Sequence, residues 1–125
     1  MATIGILGAG NVGGALGRVW AARGHRILFG KRGGSNAEAA SASEVVVLSV
    51  PWGAAQEAIR SCGDWKGKIL IDCTNPVDYT TGRVLPESGS AAELVARVAG
   101  ICGEYDRRPA TPAEARQILG LQAAP

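Results

Sequence analysis

The 125-residue chain lacks the features that mark disulfide-stapled, zinc-binding or membrane-spanning proteins. It has only three cysteines, Cys62, Cys73 and Cys102, and their wide spacing without a C-x-x-C pair predicts neither a disulfide framework nor a zinc site. Free thiols fit a reducing compartment, so we expect a cytoplasmic protein. No apolar run approaches the ~18 residues of a membrane span, and no basic segment followed by an apolar stretch indicates an export signal, so we expect no membrane partner.

Charge and catalytic side chains are also sparse. The formal net charge is only +2, and the basic residues are spread along the chain, so we expect no nucleic-acid partner. The sequence contains no Ser-His-Asp set, no metal-ligand cluster and no Tyr-x-x-x-Lys pair, and we therefore assign no catalytic residue and no metal. The single histidine, His25, precedes a strand candidate, and a surface role is favoured because ligands bind at the carboxyl ends of strands.

Glycine, in contrast, is abundant, with 18 residues, and its arrangement near the N-terminus is informative. Residues 8–14 read Gly-Ala-Gly-Asn-Val-Gly-Gly, a G-x-G-x-x-G run between a strand candidate at Thr3–Leu7 and a helix candidate at Val12–Arg23. The three glycines permit a tight turn, close approach of a pyrophosphate and close packing of helix on sheet. Free N–H groups and the helix dipole favour an anion there. This context predicts a dinucleotide site, with contacts from Gly8, Gly10, Asn11, Val12 and Gly13.

Strand and helix patterns alternate after this loop. Further strand candidates lie at Ile27–Phe29, Val45–Val50 and Ile69–Ile71, separated by helix candidates at 35–42 and 54–60. The run Val45–Val50 is apolar on both faces, as in a parallel strand covered by helices on both sides. The alternation predicts an α/β fold with a doubly wound parallel sheet.

The last third of the chain carries weaker patterns. Residues 77–89 are polar and rich in Gly, Pro and Ser, which predicts a loop. Capping-box patterns at Ser35, Ser90 and Thr111 predict helix starts, the second helix ending at Gly100 and the third running to Leu119. We therefore predict a dinucleotide-binding domain over residues 1–100 and a divergent segment with one short helix over 101–125.

That short terminal helix leads to an expectation about assembly. Ala115, Ile118 and Leu119 give it an apolar face, and a helix so short is marginal unless that face is buried. We expect a homodimer in which the partner supplies the missing cover.

The end of the second strand candidate selects between the two dinucleotides. An acid at this position binds the ribose 2′-hydroxyl of NAD, but the chain has Gly30, Lys31 and Arg32 there instead. The Arg32 guanidinium suits a 2′-phosphate and Lys31 adds a second positive charge, which predicts NADP as the cofactor. The alternative interpretation is a solvated basic turn.

Residues at the carboxyl ends of the third and fourth strand candidates complete the predicted site. They lie at the carboxyl edge of the sheet, over which a dinucleotide extends. Trp52 either flanks the cofactor or covers the core, since large aromatic residues serve both purposes. Hydride transfer needs no titratable side chain, because the cofactor carries that chemistry. The further predicted contacts are Ser49, Val50, Pro51, Trp52, Asn75 and Pro76.

Several segments together resemble the NADPH-dependent coenzyme F420 oxidoreductase family. The resemblance covers roughly residues 3–99 and implies a Rossmann fold, NADP held by the glycine loop with Lys31 and Arg32, and hydride exchange with a deazaflavin. It also implies that Val50-Pro51-Trp52 and Asn75-Pro76 lie along the nicotinamide half. The family continues with a strand bearing Lys-Ala-Phe-Asn, a pattern from which Ile101–Tyr105 departs. The segments are Ile4–Leu16, Gly24-His25, Phe29–Arg32, Val47–Trp52 and Ile71–Pro76.

We therefore predict an NADP(H)-dependent oxidoreductase whose hydride acceptor is F420 or a flavin-like molecule. Two alternatives stay open: a stand-alone NADP-binding or redox-sensing module without turnover, and an NADPH-dependent reductase of a small imine or keto substrate. Decay of NADPH absorbance on addition of F420, FMN or FAD distinguishes them.

Overall fold

The computed structural model describes residues 1–31, 35–85, 99–118 and 120, and the chain divides into two units, Met1–Leu85 and Pro86–Pro125. The boundary predicted after Gly100 falls within the second of these units and stays a prediction.

The apolar segments of the first unit form one parallel sheet. Its strands are β1 (Thr3–Leu7), β2 (Arg26–Gly30), β3 (Val45–Leu48) and β4 (Ile69–Asp72), in the order β2-β1-β3-β4. All four predicted strands are confirmed. The third ends at Leu48 rather than at the predicted Val50, because the chain turns toward Pro51, which has no N–H to continue a ladder.

Helix α1 (Asn11–Ala22) covers one face of this sheet. Four apolar residues recur at helical spacing in it: Leu16 and Trp20 pack against the core, whereas Val12 and Val19 are 51% and 47% exposed. The buried residues of the helix are Gly13 and Gly17, so its backbone lies close to the sheet. A pattern of apolar side chains gives no signal for a contact made by glycines.

Two shorter helices cover the opposite face. They are α2 (Asn36–Ser41) and α3 (Ala55–Ser61), and a 3-10 turn at Trp52–Ala54 precedes the second. Both lie within one or two residues of their predicted bounds. The core on this side includes Trp65, whose indole N–H donates to the carbonyl oxygen of Ile59 at 3.2 Å. Helices on both faces confirm the predicted doubly wound α/β fold.

Capping boxes at two helix starts can be compared directly. Before helix α4 (Pro112–Ile118), the Thr111 hydroxyl accepts the Glu114 N–H at 3.2 Å and the Glu114 carboxylate accepts the Thr111 N–H at 2.8 Å. That box is confirmed. Ser35 makes no such bond to α2, because its hydroxyl accepts the Lys31 N–H at 2.6 Å instead.

The first part of the predicted 77–89 loop is a short antiparallel hairpin, formed by β5 (Val77–Asp78) and β6 (Arg83–Val84). The Asp78 carboxylate accepts the Thr80 N–H at 2.8 Å within its tip. The loop prediction is wrong here, since strands of two residues are too short to show alternation. Residues 86–89 lie outside the described residues.

In the second unit, residues 99–104 are helical. The predicted helix end at Gly100 is therefore wrong, and this glycine does not adopt the left-handed conformation that ends many helices. Gly120, with φ of +65°, follows α4 as predicted. The helix predicted over Ser90–Val98, and Leu119, lie outside the described residues. No helix in the parts of the chain that the structure describes is long and apolar enough to cross a bilayer.

Candidate functional site

The predicted cofactor residues follow the carboxyl ends of the four parallel strands. The register pairs Leu7 with both Gly30 and Leu48, and Leu48 with Asp72, so the strands end together at one edge of the sheet. Because β2 and β3 lie on opposite sides of β1, this edge contains the topological switch point at which doubly wound folds bind ligands. The predicted residues that the structure brings to this edge are Gly8, Gly10, Asn11, Val12, Gly13, Gly30, Lys31, Ser49, Val50, Pro51, Trp52, Asn75 and Pro76. Arg32 lies outside the described residues.

Two glycines are required by the fold: Gly8 in the turn between β1 and α1, and Gly13 in the first turn of α1. Gly8 adopts φ of +100°, and a Cβ built on it would lie 2.6 Å from the Ser49 carbonyl oxygen. A Cβ built on Gly13 would collide with the carbonyl oxygen of Gly8. Side chains at these two positions would displace backbone, so the tight turn itself explains both glycines.

Gly10 differs from its neighbours in the same turn. A Cβ built on this residue would meet nothing within 4 Å, and its φ of −74° is open to any residue. Gly10 is the N-cap of α1, no side chain caps the helix, and the first turn has no acidic residue. The first N–H groups of α1 therefore have no acceptor within the helix, next to an open space that an anion can occupy.

Ser49 connects the glycine turn to the end of β3. Its N–H donates to the Leu7 carbonyl oxygen at 2.9 Å, and its hydroxyl lies 3.0 Å from that oxygen and 2.8 Å from the carbonyl oxygen of Gly8. The sequence predicts a direct cofactor contact for this residue. The sequence gives no signal for the bond to Gly8, because a serine at the end of a buried strand can bond to many different groups.

The end of β2 is built around a buried glycine. A Cβ on Gly30 would collide with the Asn36 side-chain oxygen and lie 2.9 Å from Leu7 Cδ2, so packing alone accounts for this glycine. Lys31 is exposed, and its N–H is held by the Ser35 hydroxyl at 2.6 Å. The sequence gives no signal that the Ser35 hydroxyl bonds to the Lys31 N–H. The Lys31 side chain is exposed at the carboxyl edge of the sheet.

The residues after β3 divide between core and surface. Val50 packs against the core that α2 and α3 cover. Pro51 is exposed and begins the 3-10 turn, in which Trp52 is half-buried. Half-burial is compatible with both interpretations of Trp52, as cover for the core and as a flank for a cofactor.

After β4, Asn75 and Pro76 form the base of the hairpin. Asn75 is exposed and its carbonyl oxygen accepts the Val77 N–H at 2.8 Å. Pro76 is buried and its carbonyl oxygen accepts the Leu85 N–H at 2.8 Å. The hairpin is therefore attached directly to the carboxyl edge of the sheet.

Titratable groups near the edge have structural partners. The Asp72 carboxylate accepts the Thr74 N–H at 2.8 Å, as expected for a strand-end residue. Burial, and to a lesser degree the Asp72 charge, raises the pKa of the Cys73 thiol, which disfavours the nucleophilic thiolate. His25 accepts the Ala2 N–H at 3.3 Å, beside the amino end of β1 and away from this edge. In the described residues, no three His, Cys, Asp or Glu side chains are grouped to hold a metal ion.

Two segments of the chain match models of known families. Residues 30–76 match the family described as NADP oxidoreductase, coenzyme F420-dependent, which confirms the resemblance over that segment. Residues 81–121 match the family described as beta-keto acid cleavage enzyme. Over 72 residues the chain is 42% identical to the F420-dependent NADP reductase of Methanothermobacter marburgensis, an alignment that covers 53% of this chain and 32% of that protein.

Solved structures share the fold. A protein from Arthrobacter sp. FB24, provisionally described as an F420-dependent NADP-reductase, superposes with a TM-score of 0.64 at 24% identity, over 78% of this chain and 58% of that one. Plasmodium falciparum pyrroline carboxylate reductase, solved with NADP bound, gives a TM-score of 0.52 at 19% identity, over 63% and 36%. The fold is therefore Rossmann-like. The chain spans about a third of the length of the curated relative and 58% of the first of these solved chains.

Proposed function

We propose that the chain binds NADP(H) at the carboxyl edge of its sheet and transfers a hydride between NADPH and a deazaflavin or flavin-like acceptor. The observation that carries the proposal is the open space beside Gly10, at an uncapped helix start. The fold explains Gly8 and Gly13 without a ligand, but it gives no reason for glycine at position 10, whereas a pyrophosphate does. The match of residues 30–76 and the curated relative support NADP as the cofactor and F420 as the acceptor.

The proposed binding mode follows the edge of the sheet. The pyrophosphate lies at the start of α1, and the adenosine 2′-phosphate lies near Lys31 and Arg32 beyond the end of β2. The nicotinamide half extends past the segments at 49–52 and 75–76. When bound, the cofactor supplies the hydride from its nicotinamide ring.

The side chains at this edge bind and orient rather than react. The Cys73 thiol has a raised pKa, and the Asp72 carboxylate is engaged by the backbone. The role of the protein is therefore to hold the nicotinamide face against the acceptor and to keep water away from it. In this proposal Trp52, half-buried in the 3-10 turn before α3, covers that side of the cofactor.

The test is a spectrophotometric assay of the purified chain with NADPH. We expect calorimetry to detect NADP⁺ binding, and the NADPH absorbance to decay when F420 is added, with FMN, FAD and a small cyclic imine as competing acceptors. If the chain binds NADP⁺ but none of these acceptors oxidises NADPH, the enzymatic part of the proposal is contradicted. Absence of NADP⁺ binding contradicts the whole of it.

A binding or redox-sensing module without turnover is the second candidate. The observation that favours it is the helical conformation of residues 99–104, where the family resemblance implies a strand bearing Lys-Ala-Phe-Asn. That strand belongs to the acceptor side of the family fold. Tight NADP⁺ binding together with unchanged NADPH absorbance in the same assay supports this candidate.

We also propose a homodimer and a cytoplasmic location. Helix α4 buries none of its residues completely, and Ile118 is 46% exposed, so this short helix has an apolar surface to cover. The three cysteines are free, which fits a reducing compartment. Sedimentation at micromolar concentration tests the dimer, and a monomer across the whole concentration range contradicts it.

A further inference from the structure

We infer that Ser49 is a positioning residue for the cofactor pyrophosphate and that it acts through the Gly8–Ala9 peptide without touching the cofactor itself. The inference rests on the proposed NADP site and specifies how that site is held in shape.

The geometry of one peptide group carries the argument. The Ser49 hydroxyl lies 2.8 Å from the Gly8 carbonyl oxygen and holds it toward β3. The peptide bond between Gly8 and Ala9 is trans, as are all peptide bonds described. In a trans peptide the C=O and N–H groups point in opposite directions, so the Ala9 N–H points away from Ser49. The hydroxyl therefore fixes the direction of the first donor of the glycine turn.

The surrounding contacts leave this arrangement little freedom. A Cβ built on Gly13 would lie 2.5 Å from the Ser49 hydroxyl oxygen, and one on Gly8 would lie 2.6 Å from the Ser49 carbonyl oxygen. The Ser49 N–H is bonded to Leu7, so its backbone is fixed to the end of β1. Removal of the hydroxyl leaves the bond from the Ser49 N–H to Leu7 in place, and it releases the Gly8 carbonyl oxygen together with the longer hydroxyl contact to the Leu7 carbonyl oxygen.

The chain contains a matched control for this bond. The Ser43 hydroxyl donates to the Ala39 carbonyl oxygen at 2.6 Å, and Ser43 is buried. It is also a serine hydroxyl bonded to a backbone carbonyl next to β3, but it precedes the strand, so it lies at the opposite edge of the sheet. Ser43→Ala removes a comparable bond without affecting the glycine turn.

Two ligands distinguish positioning of the turn from general damage. NADP⁺ contains the pyrophosphate, whereas adenosine 2′-monophosphate carries the 2′-phosphate and adenosine but no pyrophosphate. For Ser49→Ala we expect the Kd of NADP⁺ to rise roughly tenfold, the loss typical of one hydrogen bond, with the Kd of adenosine 2′-monophosphate unchanged. For Ser43→Ala we expect both Kd values to equal those of the wild type, even if the variant unfolds at a lower temperature.

The outcomes are distinct. If Ser49→Ala binds NADP⁺ with the wild-type Kd, or if it raises the Kd of both ligands by the same factor, the inference is overturned while the proposed function stands. If the wild type binds neither ligand, the proposed function fails and the inference fails with it. If Ser49→Ala does not fold, Ser49→Cys is the second variant, because its side chain has a similar shape but its S–H group is a weaker donor. A Kd of NADP⁺ equal to that of the wild type then overturns the inference in the same way.

Discussion

Replacement of Gly10 by valine separates what a ligand requires from what the fold requires. A Cβ at this position meets nothing within 4 Å, and the φ of −74° suits a side chain, so valine projects into open space. Valine is a poorer N-cap than glycine, by about 1 kcal/mol or less. We therefore expect the free energy of unfolding of Gly10→Val to stay within about 1 kcal/mol of the wild-type value.

Binding is affected far more strongly, because the valine side chain fills the space proposed for the pyrophosphate. Hydrogen bonds to a charged group contribute about 1.5–3 kcal/mol each. Loss of two such bonds at the start of α1 removes about 3–6 kcal/mol, which raises the Kd of NADP⁺ by more than roughly 100-fold.

Titration calorimetry with NADP⁺ and urea unfolding measure the two effects separately. Gly14→Ala is the matched control, since a Cβ there would lie 3.6 Å from an Arg18 nitrogen and 3.7 Å from the Ala9 carbonyl oxygen, at ordinary contact distances. Within α1 that change stabilises the helix by up to about 1 kcal/mol, and we expect the Kd to be unchanged. A folded Gly10→Val protein with wild-type affinity for NADP⁺ refutes the reasoning.

The sheet and the glycine turn could be predicted because their signals are local. Each strand is a short apolar run bounded by turn residues, and Val46 and Val47 are fully buried, as a run that is apolar on both faces indicates. Gly8 and Gly24 adopt φ of +100° and +86°, where the sequence places a turn and a helix end. The edge at which the site residues gather follows from strand order and direction alone.

The partners of individual side chains could not be predicted, because tertiary contacts decide them. Ser35 fits a capping box, yet its hydroxyl bonds to Lys31. The sequence likewise gives no signal that the Ser49 hydroxyl bonds to the Gly8 carbonyl oxygen, and its predicted cofactor contact stays a prediction. A hydroxyl bonds to whichever donor or acceptor the fold brings closest, and sequence spacing does not encode that distance.

The roles of the glycines could not be told apart from the sequence either, since the same residue type serves different purposes. Gly30 is explained by its contact with Asn36 and Leu7, and Gly17 by the ring of Phe29, 2.7 Å from a built Cβ. Gly100 lies inside a helical segment although the pattern indicates a helix end. The space around a glycine distinguishes packing from the other roles, and at Gly10 the open space lies at an uncapped helix start.

Three further predictions follow from particular contacts. Lys31→Ala should raise the Kd of NADP⁺ roughly tenfold and leave that of NAD⁺ unchanged in calorimetry, because the proposed partner of the lost charge is the 2′-phosphate, which NAD⁺ lacks; an equal effect on both cofactors contradicts this. Gly13→Ala should lower the free energy of unfolding, measured with urea, by about 1–3 kcal/mol, because the new Cβ collides with the Gly8 carbonyl oxygen. A urea midpoint equal to that of the wild type would show that the backbone of the turn shifts to accommodate the methyl group. The last concerns pH. The Arg108 guanidinium, 2.6 Å from Glu114, and the Thr111 N–H lower the pKa of that carboxyl from 4.5 to about 2. Because the pKa is lower in the folded state, the carboxylate stabilises the start of α4 fully above about pH 4.5, and this contribution is lost as the pH falls toward 2. An NMR titration of the Glu114 carboxyl carbon should give a midpoint near 2, and Arg108→Ala should raise that midpoint toward the ordinary value. A wild-type midpoint already near 4.5 would mean that the ion pair does not form in solution.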